Sequence, residues 1–263
     1  MLQLVFDYKL IIALLIPFVG TTLGSAMVYL LKNEINPKVL KLLLGFASGI
    51  MIASAIWSLL LPAIETYSSD DYKRWLVPSI GFIVGIIFLL ILDILVPHMH
   101  TNKLEEGIKD NKLSSTTKLL LAITIHNIPE GLAVGLVIAS AMNGGTLSQS
   151  ALILSLGIAI QNFLEGAIVS MPLKETGISK TKAFILGTLS GIVEPIAALI
   201  AILLCANITL ILPYALSFAA GAMIYVVADE LIPQASISNK SCLSTIGLAI
   251  GFILMMVLDI VLG

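Results

Sequence analysis

The chain is a succession of apolar stretches, each about as long as a bilayer core is thick. A helix needs roughly 20 apolar residues to cross the hydrocarbon. Eight such stretches succeed one another, at about 10–31, 40–63, 76–97, 119–141, 150–172, 183–205, 210–233 and 242–262. Away from water, a helix is the form in which a single segment satisfies its own backbone hydrogen bonds. Polar and turn residues collect in the joints, as in KNEINPK, ETYSSDDYKR, HMHTNKLEEGIKDNKLSSTTK, MNGGTLSQ and KETGISKTK. No joint is long enough for a soluble domain, so residues 1–263 read as one all-α, polytopic membrane domain. The N-terminal stretch lacks a small-residue cleavage pattern and is expected to remain as the first span.

Composition narrows the class further. Charged residues make up 11% of the 263 and apolar residues 58%, where a soluble domain carries roughly 25% charged residues. Such a surface would aggregate in water. Disorder requires the opposite composition. With a net charge of −2 and no basic stripe, no nucleic-acid partner is expected. Cys205 and Cys242 read as small membrane-helix residues.

Positive charge gives the orientation. The joints after spans 1, 3, 5 and 7 hold Lys32, Lys38, Lys41, Lys103, Lys109, Lys112, Lys118, Lys174, Lys180, Lys182 and Lys240, and the other side holds only Lys9, Lys73 and Arg74. Basic joints stay inside. Both termini are therefore expected on the extracytoplasmic side, which an even number of spans allows.

The chain also repeats itself. GFIVGIIFLLILDI (81–94) aligns without gaps on GLAIGFILMMVLDI (247–260), and GFASGIMI (45–52) aligns on SFAAGAMI (217–224). A weaker match joins GTTLG (20–24) to GTLSG (187–191). Spans 1–3 (repeat A, 1–97) thus resemble spans 6–8 (repeat B, 183–263). An offset of five spans turns one copy upside down relative to the other. The central pair, spans 4 and 5 (118–173), carries its own match, HNIPEGLAV (126–134) on QNFLEGAIV (161–169). A 3+2+3 plan with inverted halves is a transporter plan, with the substrate near the midplane.

Ionisable residues inside a span are costly and usually functional. Here they are all acids apart from one histidine: Asp93, Glu130, Glu165, Glu194, Asp229, Glu230 and Asp259 lie in or at the edge of spans, and no Lys or Arg lies deep in one. Buried carboxylates without a cationic partner must be protonated or share a cation. A divalent ion would resolve the conflict, and its departure could be coupled to proton uptake.

The densest cluster falls on spans 4 and 5. His126 and Glu130 lie one helical turn apart on one face, and Asn127 points about 100° away. Gln161, Asn162 and Glu165 repeat that spacing. Antiparallel packing can set both glutamates between the two polar sets, each bridging one ion on the His126/Gln161 side and one on the Asn127/Asn162 side. Imidazole with carboxylates suits zinc and similar first-row ions. Pro129 removes a backbone hydrogen bond and should kink span 4. Glu194, before Pro195, is a candidate third bridging acid. Met51 is either a soft ligand or a core residue. Asp229 and Glu230 form either an exit-side relay or part of the interface. Asp93 and Asp259, related by the repeat, are entrance acids or structural hydrogen-bond partners. In the inner joint His98, His100, Glu105 and Glu106 either dock a departing ion or are solvated.

HNIPEG in span 4, QNFLEG in span 5, SGIVEP in span 6, ADELIP in span 7 and LDILVPH in span 3 together resemble the signatures of the ZIP (Zrt-, Irt-like protein) metal transporters, most closely their prokaryotic GufA-like branch. The resemblance covers all eight spans in order. It implies uptake of Zn²⁺, and of Cd²⁺, Fe²⁺ or Mn²⁺, into the cytoplasm across the plasma or bacterial inner membrane. It implies a first site of Met51, His126, Glu130, Gln161 and Glu165, and a second of Asn127, Glu130, Asn162, Glu165 and Glu194. It further implies a homodimer, and an elevator-like slide of spans 1, 4, 5 and 6 against spans 2, 3, 7 and 8. The metal is the transported substrate, and no organic cofactor is expected. Gln161, Asn162 and Leu164 depart from the His, acid or His, and Pro of many members. The weaker amide ligands bear on metal preference.

Two other readings differ from this one in what the spans must hold. A proton-coupled carrier of an organic solute needs Arg or aromatic anchors, and the spans offer no Arg or Lys. An intramembrane metalloenzyme needs HExxH and an open zinc position, whereas this chain has HNxxE and no second His in any span. The chain is therefore not expected to be an enzyme.

Overall fold

Eight helices long and apolar enough to cross a membrane stand where the eight apolar stretches lie. The structure, a computed structural model, describes residues 8–30, 36–96, 98–99, 105–106, 115–143, 149–175, 177–205, 210–236 and 242–262. The helices are α1 (Tyr8–Leu30), α2 (Pro37–Glu65), α3 (Lys73–Leu95), α4 (Ser115–Asn143), α5 (Gln149–Glu175), α6 (Lys180–Cys205), α7 (212–236) and α8 (Leu243–Leu262). Two of their starts are capped by side chains. Asn36 accepts from the Lys38 N–H at 2.9 Å, with Pro37 in the first turn, and Ser179 accepts from the Lys182 N–H at 3.2 Å. These satisfy amides that a helix start leaves without partners. In the joint between α3 and α4, β1 (His98–Met99) pairs antiparallel with β2 (Glu105–Glu106), His98 opposite Glu106. His100 lies outside the described residues.

Lipid is as apolar as leucine, so helices in a membrane associate through close packing rather than hydrophobic burial. Glycine sets those contacts here. A Cβ on Gly20 or Gly24 of α1 would strike the backbone of Ala159 or Phe163 on α5. Gly45 and Gly49 of α2 meet Ser244 and Leu248 of α8, Gly81 and Gly85 of α3 meet Tyr214 and Phe218 of α7, and Gly131 and Gly135 of α4 meet Glu194 and Ala198 of α6. In each pair the contacts advance together, so the two helices run the same way. Most close packing falls within two groups, α1/α4/α5/α6 and α2/α3/α7/α8, joined chiefly by α4 against α7 and α2 against α5.

Three helices depart from regular geometry, each beside a proline. α2 contains a π turn at Ala55–Leu60 and α7 one at Val227–Leu231. In both, the residue before a proline donates its N–H five residues back, Leu61 to Ile56 and Ile232 to Val227. Pro62 and Pro233 cannot donate, and their rings crowd the preceding turn, which widens. In α6 the helix breaks between Ser190 and Val193, and short i→i−3 bonds run from Gly191 to Thr188 and from Glu194 to Gly191. There Pro195 has no N–H for the Gly191 carbonyl. Pro129, by contrast, sits inside α4 without interrupting the helix assignment.

Candidate metal site

The middle of the bundle is polar where α4, α5 and α6 meet. Glu130, Gln161 and Asn162 are fully buried, Asn127, His126 and Glu194 nearly so, and Glu165 is half-buried. Gln161 Nε2 donates to Glu130 Oε1 at 2.5 Å and to Glu165 Oε1 at 2.7 Å, so one amide nitrogen spans both carboxylates. On the other side, Asn127 Nδ2 donates to Glu194 Oε1 at 3.1 Å and to the Ser190 carbonyl at 3.2 Å. Asn162 sits beside Glu130 and Glu194 without a well-formed hydrogen bond to either. The α6 break puts Glu194 in the first turn of its second half, Val193–Cys205, where the helix dipole favours a negative charge.

His126 points about 100° away from Asn127, as the helical spacing requires. Its Nδ1 pairs with Glu230 Oε2 on α7. Asp93 and Glu165 also lie within electrostatic reach of the imidazole. Glu230 is itself buried and takes a 2.9 Å hydrogen bond from Gln234, whereas its neighbour Asp229 is exposed. Of the two acids in ADELIP, the structure joins Glu230 to the cluster. Met51 is fully buried in the main apolar cluster with Ala133, Val134, Met223 and Leu59. Asp93 is buried near the end of α3. Asp259 accepts from Ser58 Oγ at 2.9 Å.

A cavity of about 30 Å³ touches the cluster, lined by Leu44, His126, Glu165, Ile168, Glu230 and Gln234. That is room for about one water. It lies on the face where α2 and α4 begin and α5 and α7 end. Beyond the cluster on the opposite side, Leu136, Val137, Ile138, Leu154 and Met223 fill the core. A larger hollow of about 590 Å³ lies elsewhere, between α2 and α3, lined by Leu60, Trp75, Pro78, Phe82 and Arg74. It does not include the buried carboxylate cluster; Asp71 and the exposed Trp75 also line it, a mixture that fits a membrane–water interface.

Five buried oxygens in the cluster have no hydrogen-bond donor: Asn127 Oδ1, Glu130 Oε2, Gln161 Oε1, Asn162 Oδ1 and Glu194 Oε2. Buried acceptors are normally paired, and a cation is one group that can satisfy such a set. Among the described residues, no three His, Cys, Asp or Glu side chains converge tightly enough to hold an ion as they stand. The Gln161 amide occupies the space between the two glutamates.

Sequence reasoning misses one member of this neighbourhood, Thr21, and leaves Glu230 open between an exit-side relay and the interface. Glu230 reads from the sequence as the end of its span, yet it reaches the core. Thr21 of α1 donates from Oγ1 to Glu194 Oε1 at 2.9 Å. Its signal, a lone threonine among small residues, resembles ordinary helix packing. The two π turns had a legible signal, the LLP of 60–62 against the LIP of 231–233.

The fold and the cluster define a multi-pass membrane protein with an acidic, amide-rich centre. Sequence comparison supplies the family. The ZIP zinc transporter family matches the chain over residues 6–119 and 111–259. The chain is 35% identical to the zinc transporter GufA of Myxococcus xanthus, over 93% of this chain and 96% of that one. It is 35% identical to the zinc transporter ZIP11 of Xenopus tropicalis, over 92% and 94%, and 34% identical to the zinc transporter ZIPB of Bordetella bronchiseptica, over 94% and 79%. The chain belongs to the ZIP zinc transporter family.

Proposed function

We propose that the chain carries Zn²⁺, and with it Cd²⁺, Fe²⁺ or Mn²⁺, into the cytoplasm of a cell bounded by this membrane, acting as a carrier and not as an enzyme. The observation that carries the reading is the set of five donorless oxygens between α4, α5 and α6. Its relatives, transporters by name, support the same reading.

Two ions share Glu130 and Glu165. The first takes His126, Gln161 and, as a soft outer ligand, Met51. The second takes Asn127, Asn162 and Glu194. Pairing of His126 Nδ1 with Glu230 fixes the ring, the usual role of a carboxylate behind a metal-bound histidine, and Nε2 is the nitrogen that would take the metal. Binding the first ion turns the Gln161 amide so that its oxygen replaces its nitrogen between the glutamates.

The plan is 3+2+3 with both termini outside. Support comes from the paired contacts: Gly81 and Gly85 align with Gly247 and Gly251, and each pair abuts backbone of the other repeat. In this orientation the small cavity opens to the cytoplasm and the apolar core closes the outer side, an inward-facing state. Transport exposes the cluster alternately, by a slide of α1/α4/α5/α6 against the other four helices. Ions leave past Glu230 and Asp93 toward Asp229 and the His98–His100 joint, and protonation of Glu130 or Glu165 aids release. Asp259 stands at the outer end. The chain acts as a homodimer.

The test is ⁶⁵Zn²⁺ flux into proteoliposomes. Saturable uptake by the wild type that Glu130→Ala abolishes supports the reading; equal uptake by both overturns it.

A further inference from the structure

The second site is built unequally by the two halves of the molecule. Gly131 of α4 rests on the backbone of Glu194, and its match in the central pair, Gly166 of α5, rests on the backbone of Thr21. By contact, then, Thr21 stands in the first half where Glu194 stands in the second. The two side chains meet, Thr21 Oγ1 donating to Glu194 Oε1 at 2.9 Å. Thr21 is itself buried, at 2% exposure.

Local packing fixes that geometry. The Thr21 Cβ and methyl lie against Gly191, where any side chain would collide with them. Gly191 is the turn residue of the α6 break, so the close approach and the break are one feature. A threonine with its methyl so held has little freedom at χ1, and its hydroxyl is left facing Glu194. The alternative acceptor, the Pro17 carbonyl, is longer at 3.4 Å. The shorter contact, to Glu194, is the stronger. Glu194 Oε1 thereby has two donors, Thr21 and Asn127, while Oε2 has none.

We infer that Thr21 is a positioning residue of the second metal site: its hydroxyl holds Glu194 Oε1 so that Oε2 alone is presented to the ion. This rests on the binuclear reading given above. Glu194 is then a one-oxygen ligand, held in place before the ion arrives. Without the hydroxyl, Oε1 keeps Asn127 as its one remaining donor, and the carboxylate is held at one point instead of two. The effect is on affinity rather than on the turnover of a loaded carrier.

The experiment measures ⁶⁵Zn²⁺ uptake kinetics and Cd²⁺ binding stoichiometry on the purified, reconstituted full chain for wild type, Thr21→Val, Thr21→Ser and Glu130→Ala. Thr21→Val keeps shape and removes the donor; it is expected to raise KM about tenfold, the scale of one hydrogen bond to a charged group, with the maximal rate within about twofold. The second Cd²⁺ should weaken to match while the first does not change. Thr21→Ser restores the hydroxyl and should return KM to within about twofold of wild type. Should Thr21→Val not purify as a single species, Thr21→Ala against Thr21→Ser gives the same contrast. Unchanged KM in Thr21→Val, or an equal defect in the serine variant, overturns the inference while uptake lost in Glu130→Ala keeps the binuclear reading. Uptake undiminished in Glu130→Ala removes that reading itself.

Discussion

The two π turns share a backbone device and differ in what they connect. In α2 the turn at Ala55–Leu60 carries Ser58, which donates to Asp259 of α8 at 2.9 Å. In α7 the turn at Val227–Leu231 carries Glu230, which pairs with His126 of α4. Each precedes a proline, and each ends on an i→i−5 bond. The Ser58 contact stays within the group α2/α3/α7/α8. The Glu230 contact crosses to the other group and touches the candidate site. Repetition thus supplied the same distortion twice, and the side chain at the widened turn decided its use: one turn ties a bundle together, the other links the bundle to the candidate site.

Substitutions can break that comparison. The largest effect should come from Glu230→Ala, which removes the partner of His126. Loss of such an outer carboxylate costs about 10–100-fold in metal affinity, read by Cd²⁺ titration of the purified chain. An unchanged first-site affinity would show that the α7 turn is structural, like that of α2.

Smaller, and equal for the two repeats, should be the cost of widening the helix contacts. Gly49→Val pushes against Leu248 and Phe252 of α8, and Gly221→Val pushes against Phe82 of α3. Overpacking costs about 1–3 kcal/mol. Thermal unfolding in detergent should show similar losses for both, and a loss in one alone would argue that the repeats are packed differently.

The smallest effect belongs to Ser58→Ala. It removes one hydrogen bond, worth about 1 kcal/mol, and should lower stability slightly while leaving zinc uptake within about twofold. A large loss of uptake would give the α2 turn a part in transport that its contacts do not indicate.

The eight spans were legible because a bilayer imposes length and apolarity on every helix, and composition records both. His126, Glu130, Gln161 and Glu165 were legible because helical spacing puts them on shared faces and because acids without cations in a span stand out. The place of Glu230 was hidden for a geometric reason. A π turn inserts one residue and rotates the rest of the helix by about 100°, so position along an ideal helix gives the wrong face. Thr21 was hidden because its partner is on α6, 173 positions away, and nothing local distinguishes it from a packing residue. The hydrogen bonds of Gln161 were hidden too, since its spacing shows where the amide lies but not which of its atoms faces the glutamates.

The central claim is that two ions share the glutamates between α4 and α5. The most direct measurement is to locate Cd²⁺ in the purified chain by anomalous scattering. The account predicts two peaks flanking Glu130 and Glu165, one on the His126 side and one on the Glu194 side. Peaks confined to the joints or the outer surface, with none between the two glutamates, would contradict it.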